Sequence, residues 1–112
     1  MEERMFGLET EYAVTGLNGC RPVDREWIVM GIMEIAREKF PYLPAVDGGG
    51  IYLANGSRFY IDCGLHPEYS TPECLNPWDA VRYVKAGEHI LASIATELAR
   101  RHGLEMMCFT CN

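Results

Sequence analysis

The chain has 112 residues, of which 48% are hydrophobic and 23% are charged, close to the average usage of one small globular domain. Sixteen acidic residues against ten basic ones give a formal net charge of −6, which argues against a nucleic-acid binder that needs clustered Lys and Arg. No run approaches the ~18 apolar residues of a membrane span, so we expect neither a nucleic acid nor a membrane as partner.

Cysteine usage and the acidic start of the chain bear on its compartment. Five cysteines without regular spacing, and no basic and apolar leader among the first 20 residues, predict reduced thiols in a cytoplasmic protein. Cys108 and Cys111 form one CxxC pair. A single pair is a weak signal for zinc, and we interpret it as two small side chains in a strand.

The first half of the chain predicts a strand, a helix and a hairpin. Alternating residues predict a strand over 5–15, and an apolar stripe after a capping aspartate predicts a helix over roughly 25–39. Three glycines at 48–50 predict a flexible or tightly turned link. Asn55-Gly56 then predicts a tight hairpin turn, in which both residues adopt positive φ.

The second half predicts a loop, a long helix and a final strand. We expect residues 64–76 to form a loop, residues 77 to about 102 a helix, and residues 104–111 a strand. This order predicts an α+β fold with a mostly antiparallel sheet and helices packed on one face. Because the last strand is apolar and needs a further partner, we expect residues 1–112 to be one piece of a larger folded object.

Two strands carry candidate chemistry. Side chains two apart on a strand share a face, so Glu9 and Glu11 point the same way, as do Arg58, Tyr60 and Asp62. Each strand alone is also typical of an ordinary solvated surface. If the two faces align in one sheet, three close carboxylates require cations, and Mg²⁺ with substrate phosphates meets that requirement.

The loop predicted after the second strand adds further candidates. Glu68 and Thr71 follow within ten residues of Asp62, and the planar fork of Arg58 suits a phosphate. His66 is open to three interpretations: a ligand, a base, or a hydrogen bond that fixes the loop. The sequence has no GxxxxGK[ST] and no GxGxxG, which excludes a P-loop or Rossmann nucleotide site.

Two segments, Gly7–Tyr12 and Asn55–Cys74, resemble the Pup ligase and depupylase (Dop) family of glutamine-synthetase-like carboxylate–amine ligases. The resemblance runs along the whole chain and implies that residues 1–112 are the N-terminal portion of one glutamine-synthetase-like catalytic domain, completed by another chain. It also implies ATP and magnesium as cofactors. By that resemblance the magnesium ligands are Glu9, Glu11, Tyr60 and Glu68, the ATP contacts are Arg58 and Thr71, and the catalytic residue is Asp62. The metals and Arg58 are expected to keep Asp62 ionised.

The resemblance implies an enzyme that acts on a small ubiquitin-like protein tag. In the family, the ligase phosphorylates the C-terminal glutamate of Pup and a substrate lysine attacks the acyl phosphate, whereas the depupylase hydrolyses the resulting bond. Whether this chain forms or breaks the bond stays open, although the short segment from Tyr12 to Asn55 favours the ligase branch. The strand Phe109-Thr110-Cys111-Asn112 departs from the family's Phe-Lys-Asn-Asn. A self-cleaved protease, cut after Asn112, and a non-catalytic nucleotide-binding module are the alternatives.

Overall fold

Residues 3–111 of the computed structural model are described, and they form two helices and seven strands. The elements in chain order are β1 (Glu9–Asn18), β2 (Arg21–Pro22), α1 (Arg25–Lys39), β3 (Tyr42–Pro44), β4 (Ile51–Leu53), β5 (Arg58–Ile61), β6 (Pro67–Ser70), α2 (Pro77–His102) and β7 (Glu105–Cys111). All the strand pairings are antiparallel. The strands follow the order β2-β1-β6-β5-β4-β3, and β7 pairs with β1. The predicted α+β fold is therefore confirmed.

Both helices pack on one face of the sheet, as the sequence predicts. Alternate strand residues are buried and form one core with the apolar sides of α1 and α2; Tyr12, Phe59 and Tyr69 among them are at most 3% exposed. The intervening residues of β1, such as Glu9 and Glu11, are exposed on the opposite face. The helices therefore leave one face of the sheet open, and the acidic side chains lie there.

The helix boundaries follow local signals. Asp24 accepts a hydrogen bond from the Trp27 backbone N–H at 3.0 Å, and α1 spans the predicted residues. Asn76 caps α2 in the same way, and Gly103 ends it in the left-handed conformation with φ 65°. Neither helix combines the length and apolarity that a bilayer span requires.

The prediction of a loop over residues 64–76 was wrong in its central part, because residues 67–70 form β6. This strand lies between β1 and β5, so the two strands that carry the candidate chemistry are not adjacent. Four residues that begin with proline and include a glutamate are too few, and too poor in β-branched residues, to predict a strand. Hydrogen bonding to a strand on each side makes them a strand, and this pairing is tertiary in origin.

The first strand begins later than predicted. Residues 5–8 lie outside β1, and Phe6 forms only an isolated bridge with Cys74. The short strands β2 and β3 were not predicted, since two or three residues carry no periodicity. The predicted C-terminal strand is confirmed as β7, while Asn112 lies outside the described residues.

The hairpin at Asn55-Gly56 is confirmed, but its turn differs from the prediction. The Gly56 N–H donates to Leu53 O at 3.0 Å, and the Leu53 N–H donates to Ser57 O at 2.8 Å. Only Gly56 of the pair has positive φ, at 85°. The turn is therefore the three-residue kind, in which a glycine in the left-handed conformation follows a type I turn.

Candidate active site

The open face of β1, β6 and β5 carries the predicted site residues in two cross-strand rows. The register places Glu11, Glu68 and Tyr60 in one row, and Glu9, Ser70 and Arg58 in the next. Residues directly opposite each other on antiparallel strands have Cβ atoms about 5 Å apart. The structure therefore brings together all four predicted magnesium ligands, and Glu68 links the two strands.

Electrostatic repulsion is concentrated at Glu68. This residue is 6% exposed and lies directly opposite Glu11. Burial raises the pKa of the Glu68 carboxyl, and the charges of Glu9 and Glu11 raise it further. None of the ion pairs among residues 3–111 involves these three glutamates.

Tyr60 gives the cluster a neutral oxygen. Burial, together with the Glu68 carboxylate nearby, raises the pKa of the Tyr60 phenol to about 12, so it stays protonated at neutral pH. Its ring also lies under the Arg58 guanidinium, whose central carbon is 4.4 Å from the ring centroid. Three carboxylates and a phenol are the hard oxygen donors that suit Mg²⁺.

Asp62 follows β5 directly and anchors the turn into β6. Its Oδ1 accepts the backbone N–H groups of Gly64 and His66, each at 2.8 Å. These bonds, with that of His66 the larger contribution, hold the pKa of Asp62 below its ordinary value. From the sequence we expect metals and Arg58 to have this effect. In the structure the turn itself keeps Asp62 ionised, while Arg58 makes its contacts elsewhere.

His66 is part of the site, although it was not included in the predicted residue set. Its Nδ1 lies 3.3 Å from Asp62 Oδ2. Glu11, Asp62 and His66 offer one ligand atom each within 4.8 Å of one another. The signal in the sequence was the spacing of four between Asp62 and His66 around Gly64, but only the turn geometry brings the ring back onto the carboxylate.

The two predicted ATP contacts lie at the margin of the cluster. Arg58 Nη2 donates to the Gly49 carbonyl at 2.8 Å and lies 3.2 Å from Asp47 Oδ2. Thr71 Oγ1 accepts the Leu8 backbone N–H at 3.0 Å, so this side chain ties β6 to the start of β1. A shallow cavity of about 410 Å³ beside them is lined by Gly7, Leu8, Glu9, Ser70 and Thr71.

The chain is similar to known proteins along nearly its whole length. The profile of the Pup-ligase protein family matches residues 4–112. The Pup–protein ligase of Bifidobacterium longum strain NCC 2705 is 39% identical over 98 residues, which are 88% of this chain and 19% of that protein. The corresponding ligase of Bifidobacterium longum subsp. infantis is also 39% identical with the same coverage.

A solved structure is also similar to this chain over nearly its whole length. The crystal structure of the complex between the prokaryotic ubiquitin-like protein Pup and its ligase PafA matches with a TM-score of 0.75 and 28% identity. The match covers 96% of this chain and 22% of that chain. This chain thus spans about a fifth of the length of the curated relatives. The profile match over residues 4–112 and the 39% identity show that the chain belongs to the Pup ligase family.

Proposed function

We propose that this chain supplies the magnesium- and nucleotide-binding face of an ATP-dependent enzyme that joins the C-terminal carboxylate of a Pup-like protein to an amine. The observation that carries the proposal is the direct pairing of Glu11 with the buried Glu68, beside Glu9. Like charges directly opposite each other destabilise a sheet, so this arrangement favours a bound cation. The curated relatives are named Pup–protein ligases, and PafA was solved with Pup, which supports the substrate class.

The donors on the open face fit magnesium. Glu9, Glu11 and Glu68 would provide anionic oxygens and Tyr60 a neutral one. When bound, Mg²⁺ would neutralise charge on the phosphates and on the phosphoryl group being transferred. Without it, the carboxylates repel one another and would also repel a nucleotide.

The remaining residues would position the reactants. Arg58, in the same row as Glu9 and Ser70, would present a planar cation to phosphate oxygens. Asp62 stays ionised at neutral pH, so it can attract and orient an amine and then accept the proton that the attacking nitrogen loses. The same carboxylate could orient a water molecule for hydrolysis of the bond. We propose the ligase because the relatives carry that name.

We also propose that a second polypeptide completes this site. Within residues 3–111, β7 pairs only with β1 and leaves its other edge open. Met107 and Phe109 of this strand are 49% and 55% exposed, on the face that carries the acidic rows. A further strand along this edge would cover these side chains and continue the sheet over the site.

Trapping with hydroxylamine tests the proposed chemistry. The chain, with the polypeptide that completes the site, is incubated with a Pup-like tag that ends in glutamate, Mg-ATP and hydroxylamine. A ligase forms one tag hydroxamate for each ADP and phosphate released, and EDTA abolishes the product. The Glu68→Gln variant should lose this activity, while Glu34→Gln, an exposed glutamate of α1, should retain it. Cleavage of a tag conjugate without formation of hydroxamate would identify a hydrolase. The absence of any Mg-dependent product would contradict the proposal that the chain is part of an enzyme.

A further inference from the structure

The three consecutive glycines before β4 form a tight loop rather than a flexible link. Asp47 Oδ1 accepts the Gly49 N–H at 2.9 Å, and the Gly48 N–H donates to Ala45 O at 3.0 Å. Gly50 has φ 117°, and a Cβ atom there would lie 2.4 Å from the Phe59 carbonyl oxygen. The loop therefore packs against β5 at a distance that only glycine allows.

The loop presents two oxygens to the side chain of Arg58. The Gly49 carbonyl accepts from Arg58 Nη2 at 2.8 Å, and Asp47 Oδ2 lies 3.2 Å from the same nitrogen. The Tyr60 ring supports the guanidinium from another side, at 4.4 Å. Arg58 Nε is buried without a hydrogen-bond partner among the described residues. One nitrogen is thus fixed by the loop and Nε is enclosed by protein. The Arg58 side chain is still 29% exposed, so an acceptor from outside can reach the accessible part of the guanidinium.

We propose that Asp47 and the Gly49 carbonyl position the Arg58 guanidinium, so that its solvent-accessible N–H groups meet the phosphate oxygens of a nucleotide. This inference rests on the proposed function, because it takes the anion at Arg58 to be ATP. Asp47 is a positioning residue, because it acts on the nucleotide only through Arg58. Holding an arginine in place before binding reduces the side-chain entropy that binding would otherwise cost.

A carboxylate beside Arg58 also competes with phosphate for the guanidinium, which would weaken nucleotide binding. The Asp47 side chain is 66% exposed, so solvent screens its charge. The Gly49 carbonyl also holds Arg58 and carries no net charge. The geometry therefore favours positioning over competition, and the two effects change affinity in opposite directions.

Two variants disturb the loop in different ways. Asp47→Ala removes the carboxylate and its charge. Gly49→Ala keeps the charge but adds a Cβ atom 2.8 Å from Arg58 Nη2, which must move away. Gly49 lies outside the positive-φ region, so alanine fits its backbone. Val46→Ala is the matched control, because Val46 is fully exposed in the same loop.

The first measurement is the affinity of the protein for the magnesium complex of a non-hydrolysable ATP analogue. It uses the same preparation as the hydroxamate assay. We expect Asp47→Ala and Gly49→Ala each to weaken binding about two- to fivefold, as for an exposed charge-assisted pair. Val46→Ala should match the wild type. In an Arg58→Ala background, Asp47→Ala should have no further effect. The positioning role would be overturned by tighter nucleotide binding in either loop variant. It would also be overturned if Asp47→Ala lowered the affinity equally with and without Arg58.

The second measurement needs no nucleotide. Nitrogen-15 NMR follows rotation of the Arg58 guanidinium, which should be slow in the wild type and faster in Asp47→Ala and Gly49→Ala. Unchanged guanidinium rotation in both variants would show that the loop does not position Arg58. If Arg58→Ala binds the nucleotide analogue as well as the wild type does, the proposed nucleotide site is wrong, and NMR still decides whether the loop positions Arg58.

Discussion

Glu11 of β1 lies directly opposite Glu68 of β6, on the face of the sheet that the helices leave open. Burial and neighbouring negative charges raise the pKa of Glu68 above its ordinary value of 4.5. Its contribution to folding stability is therefore present below that value and is lost as the pH rises through the folded-state pKa. At neutral pH and without metal, the ionised Glu68 destabilises the protein.

Glu68→Gln should accordingly stabilise the metal-free protein at pH 7 by about 0.5–1 kcal/mol, because it removes a like-charge pair. The gain should disappear near pH 4, where Glu68 is protonated. Added Mg²⁺ should raise the unfolding free energy of the wild type and not that of the variant. Urea unfolding with EDTA or with Mg²⁺ measures all three effects, and a loss of stability at pH 7 in EDTA would contradict the argument.

The Asp62→Asn variant separates two roles of Asp62, because it keeps the hydrogen bonds of the turn and removes the negative charge. The amide oxygen can still accept the backbone N–H groups of Gly64 and His66, so the thermal midpoint should change little. The rate of tag conjugation should fall about 100-fold or more, as for loss of a general base. Asp62→Ala should reduce both quantities.

The stability lost in Asp62→Ala also has a defined pH dependence. The pKa of Asp62 is lowered in the folded state, so its contribution is present above its ordinary value of 3.8 and is lost as the pH falls through the folded-state value. Full conjugation activity in Asp62→Asn would remove this residue from the proposed chemistry.

Thr71 makes a hydrogen bond within the fold, which is separate from its predicted contact with ATP. Because its Oγ1 accepts the Leu8 N–H at 3.0 Å, Thr71→Val should lower the unfolding free energy by about 1 kcal/mol. Thr71→Ser keeps the hydroxyl and should unfold like the wild type. Chemical denaturation of the two variants checks this, and equal stability of Thr71→Val and Thr71→Ser would show that the bond contributes nothing.

Gly87 of α2 allows the helix to approach β6 closely. A Cβ atom at this position would lie 2.5 Å from Tyr69 Cδ1, and the Tyr69 ring is 1% exposed. Gly87→Ala gains about 1 kcal/mol of helix propensity but overpacks the core by about 1–3 kcal/mol, so we expect a net loss of about 1 kcal/mol. Thr96→Ala on the same helix should change stability by less than about 0.5 kcal/mol. An equal or higher thermal midpoint for Gly87→Ala would show that the core adapts.

Local sequence signals were sufficient for the helices and for the faces of the strands. The cap at Asp24 and the left-handed Gly103 fix helix ends through interactions within a few residues. Strict alternation along β1 places Glu9 and Glu11 on one face whatever their neighbours are. The candidate residues of β5 follow from the same period of two.

The amino-acid sequence by itself therefore determined which side chains share a face, because that property depends only on backbone geometry. The tertiary structure alone decided which of them meet. Residues 67–70 become a strand only by pairing with β1 and β5, and this pairing places Glu68 opposite Glu11. The loop that holds Arg58 likewise arises from a contact between segments. The turn that returns His66 to Asp62 is local, but the spacing of four does not by itself fix the geometry that brings the ring back onto the carboxylate.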